Sequence, residues 1–162
     1  MSEWGLIDSI VVPFGIAVVA GLLGGGLVSF LIQRRDADRR LRRDGYAEAV
    51  AALRAWYEYP FQIRRRTSDS PETLDRLVTL GHENQQRLVR ALAWVAIDDR
   101  DAHRHCADAV DAVKRRVGDW AKKAWDASPI DGAAHMNLNG WGPEPIDDVI
   151  EAMLDAVADR LR

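Results

Sequence analysis

From Ser9 to Ile32 the chain carries no ionisable side chain. This stretch limits the fold more than any other feature, because about 20 apolar residues are enough to carry a helix across a hydrocarbon core about 30 Å thick. Residues 9–32 are therefore expected to form a transmembrane helix. Pro13 and the glycines at 15, 21, 24, 25 and 26 would weaken a helix in water. In membranes such residues are common, because neighbouring segments pack against them. A buried helix of a soluble protein is the competing reading, and it is disfavoured because core helices seldom run this far without a polar face.

Charge on the two sides sets the expected orientation. The leader MSEWGLID contains Glu3 and Asp8 and no basic residue, whereas Arg34, Arg35, Arg39, Arg40, Arg42 and Arg43 follow the apolar run. A signal peptide would show the reverse, a basic leader and then a small-residue cleavage site. The excess of arginine after Ile32 predicts a short extracytoplasmic segment at 1–8, with everything beyond Gln33 in the cytoplasm, at the inner membrane. The basic segment, 33–45, is expected to continue the helix and to attract anionic headgroups, at ~1 kcal/mol per basic residue. Within the apolar run, Ala17, Gly21, Gly25 and Ser29 recur at four-residue steps. A small-residue ladder of this kind suits parallel self-association or docking against another membrane helix.

Beyond the basic segment the apolar residues recur at helical spacing, with no strand pattern. Residues 46–162 are expected to form a cytoplasmic bundle of about four antiparallel helices, so the fold class is all-α with an N-terminal transmembrane helix. The stripes are Tyr46, Val50, Leu53 and Tyr57, with Trp56 beside them; then Leu74, Leu77, Val78, Gly81, Gln85, Leu88, Leu92 and Val95. A third comprises Cys106, Val110, Val113, Val117, Trp120 and Ala124, and a fourth Ile146, Ile150, Met153, Val157 and Leu161. Such one-sided stripes are what bundle and coiled-coil packing use. The first helix is expected to reach about Tyr59 and to be closed by Arg64, Arg65 and Arg66, with a short connection at 67–70 before the second. Ser70 is placed to cap the second helix with Pro71 at its first position, Asp98 or Asp99 to cap the third, and Pro145 to open the fourth.

The overall net charge of −3 argues against a nucleic-acid partner. Cys106 is the only cysteine, which leaves no disulfide framework and no cysteine-based zinc motif. The densest polar cluster places Asp99 four residues from His103 and Asp101 four from His105. These are neighbours on a helix and candidate metal ligands, although a site would need a further ligand from another helix. A solvated helix start explains the same residues more simply. No catalytic or cofactor motif is present, so no catalytic residue and no cofactor is expected. Arg64, Arg65 and Arg66 suit the C-terminus of the first helix, with an acidic partner or a phosphate as the alternative use. Leu80 and Trp94 fall off the main stripe of the second helix, and Trp141 lies in a long loop, 126–145. All three are candidate partner-surface residues, with Trp141 favoured as a cover over the bundle end.

The run GLLGGGLVSFLIQRRDADRRLRRDGYAEAVAAL resembles the uncharacterised single-pass membrane proteins frequent in actinobacteria and their phages, which have one anchor, an arginine-rich juxtamembrane helix and a small helical domain. The resemblance covers about the first third of the chain. It implies membrane location and no activity, and it transfers no catalytic residue. The leading expectation is a non-enzymatic, membrane-anchored interaction protein whose bundle docks a cytoplasmic protein partner or a second copy. The alternatives are a membrane-tethered, metal-dependent all-α hydrolase using the Asp and His cluster, and a phage factor acting in exclusion or lysis control.

Overall fold

The computed structural model describes the backbone of residues 8–161 and the side chains of 33–132 and 135–158. In chain order it contains α1 (Asp8–Arg64), α2 (Pro71–Asp98), α3 (Arg100–Asp126), a short 3-10 turn (Ala133–Met136) and α4 (Asp147–Leu161). Among the described residues there is no strand, so the protein is all-helical. The chain divides into two compact units, Met1–Leu41 and Arg42–Arg162. Among the described residues no helix is long and apolar enough to cross a membrane. The expected span at 9–32 and its ladder of Ala17, Gly21, Gly25 and Ser29 lie outside the described side chains, as does the segment 1–8. In the first unit the described side chains, 33–41, are all exposed, with Arg34, Arg35, Arg39 and Arg40 among them.

The second unit has an up-and-down bundle core. Tyr46, Ala52 and Leu53 of α1, Leu88 and Val95 of α2, Cys106, Val113 and Val117 of α3, and Ile146, Met153 and Val157 of α4 form one buried cluster. Their spacing explains the packing, because apolar residues three and four apart share one helix face and the four faces bury one another. A smaller cluster of Tyr59, Ile63 and Ala124 closes one end, with Leu80, Trp125 and Trp141 packed on it. The α1 to α2 contact is close enough to require glycine. A Cβ on Gly45 would meet the Trp94 ring, and a Cβ on Gly81 would meet the Tyr59 hydroxyl.

The helix ends follow local chemistry. Ser70 caps α2, its Oγ accepting from the Thr73 amide at 3.3 Å, with Pro71 in the first turn. Asp99 is the cap of α3; its Oδ1 accepts from the amides of Asp101 and Ala102 at 2.7 and 3.0 Å. Asp98 instead ends α2 and accepts from Arg42 at 3.2 Å. α1 runs through Pro60 and ends at Arg64, in the arginine series expected to close it. Proline removes a helical hydrogen bond, but Tyr59, Pro60 and Ile63 are all buried, which offsets the loss. α4 begins at Asp147 rather than at Pro145. The Pro145 carbonyl accepts from Arg116 of α3 at 2.6 Å, and Ile146 supplies the first helical acceptor, to the Ile150 amide at 3.0 Å.

The α2 stripe is also corrected. Val78 and Gln85 are exposed rather than in the core. The buried face runs through Leu77, Gly81, Asn84, Leu88, Ala91 and Val95. Asn84 takes an inward position because its amide nitrogen reaches the Ala55 carbonyl of α1 at 3.3 Å, and a buried polar group must be paired.

Candidate functional site

Three successive arginines end α1 and start the turn after it, and the fold gives each a different task. Arg66 is only 5% exposed. Its guanidinium donates to the Ala124 carbonyl at 2.7 Å, the Trp125 carbonyl at 3.1 Å and the Ala127 carbonyl, and it pairs with Asp69 at 2.6 Å. It also lies over the Trp125 ring, 5.8 Å from the centroid. The first three acceptors are carbonyls at the end of α3, which have no helical partner and carry the negative end of the helix dipole. A planar fork of donors is well suited to gather several of them at once. Arg64 donates to the Ser128 carbonyl at 3.1 Å. Arg65 donates to the Met136 carbonyl at 3.4 Å and lies over the Phe61 ring. All three therefore tie α1 to the end of α3 or to the loop that follows it. Arg65 and Arg66 also border an open depression of about 720 Å³, lined by both polar and apolar side chains, that reaches Arg76, Leu80 and Glu83 of α2.

The 126–145 loop covers the bundle end with an aromatic series. Trp141 is set edge-on between Phe61, at 5.5 Å, and Trp120, at 5.3 Å. Tyr57 continues the series to Phe61 at 5.6 Å, and the Lys123 ammonium lies 4.3 Å above the Trp120 ring. Edge-on aromatic pairs of this type add about 0.5–1.5 kcal/mol beyond the area they bury. A Cβ on Gly142, whose φ is +121°, would meet the Phe61 ring, so the loop backbone itself lies against α1. Trp94 is likewise packed inward, edge-on to Tyr46 at 5.7 Å. Trp94, Trp141 and Leu80 are thus half-buried and engaged in the two apolar clusters.

The proposed metal ligands are not assembled into a site. Among the described residues no three His, Cys, Asp or Glu side chains come together in a way that could hold a metal ion. Asp99 serves as a helix cap, Asp101 pairs with Arg104, and His105 is exposed. Cys106 is in the core, where burial pushes its thiol up to about 11. A thiol held so far above its usual range carries almost no thiolate near neutral pH.

No family model, curated protein or solved structure matches the chain.

Large apolar side chains remain exposed in the bundle on the outer side of α2. Val78 is 59% exposed, Val89 66% and Ile97 88%. Val78 and Val89 are about three helical turns apart, so both lie on one side of the helix. Gln85 and Ala93, both exposed, belong to the same side. Sequence reasoning missed this surface by assigning Val78 to the core and passing over Val89 and Ile97. The available signal was that Val89 and Ile97 fall outside the Leu77, Leu88 and Val95 stripe. The burial of Arg66 was also missed, since nothing in three consecutive arginines marks which one will meet a helix C-terminus.

Proposed function

We propose that the protein is a non-enzymatic interaction module, tethered to the cytoplasmic membrane by residues 9–32, whose helical bundle presents the outer side of α2 to a partner protein. The observation that carries this reading is the exposure of Val78, Val89 and Ile97 on one helix whose opposite face is fully committed to the core. Exposed apolar side chains grouped on one element favour association, because burying each one against a partner removes hydrocarbon from water. Tethering rests on the uninterrupted apolar run and on the arginines that follow it. The arginines at 34, 35, 39 and 40 are exposed and available to anionic headgroups.

The test places a photo-activated cross-linking residue at Val89 or Ile97 in the full chain, in cells, with Glu151 on α4 as the exposed control. A discrete adduct in the membrane fraction at 89 and 97, and none at 151, supports the reading. Equal labelling at all three positions, or release of the full chain from vesicles by an alkaline wash, overturns it.

A further inference from the structure

We propose that Asn139 is a self-modifying position, cyclising onto the Gly140 nitrogen, and that its conversion to isoaspartate or aspartate releases Trp141 from its seat between Phe61 and Trp120. The residues form the centre of a tight turn, closed by the Trp141 amide donating to the Leu138 carbonyl at 2.9 Å. Asn139 and Gly140 are both exposed. Among the described residues no hydrogen bond or ion pair restrains the Asn139 side chain. Gly140 has a φ of +73°, and the space where a Cβ would stand is open. The main obstacle to ring closure after an asparagine, a bulky following residue, is therefore absent at this position and surrounded by solvent.

The chemistry needs only water and a weak base. The Gly140 backbone nitrogen gives up its proton and bonds to Cγ of Asn139; the bond from Cγ to the side-chain nitrogen breaks, and ammonia leaves with that proton. The resulting five-membered imide is opened by one water molecule. Attack at the side-chain carbonyl restores the main chain with aspartate. Attack at the main-chain carbonyl routes the chain through the former side chain and gives isoaspartate. Either product brings a negative charge to a turn that had none, and isoaspartate also lengthens the backbone by one carbon.

That added carbon falls between Leu138 and Trp141, inside the turn whose closure depends on their hydrogen bond. The seat it disturbs is narrow: Trp141 has an aromatic ring on each side, and the next residue, Gly142, already lies against Phe61. The other asparagines provide internal controls. Asn84 is buried and bonded to the Ala55 carbonyl. Asn137 is exposed but is followed by the branched, half-buried Leu138.

The experiment incubates the full-length protein in warm, mildly alkaline buffer and follows the loop by tandem mass spectrometry, with tryptophan emission recorded in parallel. The expected result is a gain of one mass unit at Asn139, well ahead of Asn137 and mostly as isoaspartate. A red shift of the emission should follow the same time course, and Asn139→Gln should lose both changes. If Asn139 stays intact in the folded protein while it converts fully in urea, the turn protects the residue and the proposal fails. Conversion without any change in emission would likewise overturn the claim that Trp141 is released.

Discussion

The ring of Trp94 occupies the space beside Gly45 that a Cβ would need, and the same ring meets Tyr46 edge-on at 5.7 Å. Two adjacent residues of α1 thus receive one side chain of α2, and the register between the two helices is set at that point. Arg87 with Glu48, Asn84 with Ala55, and Tyr59 with Leu77 repeat the antiparallel match along the pair.

Gly45→Ala is expected to destabilise the bundle even though alanine is the better helix former by about 1 kcal/mol. The added methyl group must displace a packed indole, and overpacking of this type costs about 1–3 kcal/mol. Urea denaturation should show a lower midpoint with an unchanged slope. Combining the change with Trp94→Leu should recover part of the loss, which a double-mutant cycle reads directly.

Arg66→Ala is expected to cost about 1–3 kcal/mol, the range for leaving buried acceptors without their donor. Three carbonyls at the end of α3 and the Asp69 carboxylate would lose their shared donor. Arg66→Lys should recover only part of the stability, because an ammonium keeps the charge but cannot spread its donors over several carbonyls. Thermal melts of the three proteins should therefore rank arginine above lysine and lysine above alanine.

Asp148 links α4 to α3 through paired bonds to Arg116 at 2.6 and 2.7 Å. The hydrogen bond from Arg116 is the main reason its carboxyl is drawn down to about 2 from an ordinary 3.8. A folded value below the unfolded one means that the carboxylate stabilises the fold above the unfolded value, and that this contribution fades as pH falls through the folded one. The stability difference between the protein and its Asp148→Asn variant should hold at neutral pH and shrink between about pH 4 and about pH 2. The pair is solvent-exposed, so the difference should also narrow with added salt. Denaturation midpoints measured across that range check both statements.

The helical content was legible because each core helix writes its buried face in the sequence at spacings of three and four, as Leu88, Ala91 and Val95 or Val110, Val113 and Val117 do. The caps at Ser70 and Asp99 were legible for a related reason: their chemistry is local, complete within three residues of chain. The rotation of α2 was not, because Val78 and Leu77 are equally apolar and only the positions of α1 and α3 decide which of them turns inward. Pro60 shows the same division: its local cost is visible in the sequence, whereas the burial that offsets it arises from contacts across the bundle. At the candidate site, the arginine series could be read as a helix ending, but its partners are loop and α3 carbonyls about 60 residues further along the chain.

The clasp made by Arg66 bears on how this architecture can be divided. Its acceptors belong to Ala124, Trp125 and Ala127, so a fragment cut after the first two helices would keep the cation and discard most of what satisfies it. The helical hairpin is consequently not a module that recombination could lift out and graft elsewhere; the first two helices have to travel with the end of the third.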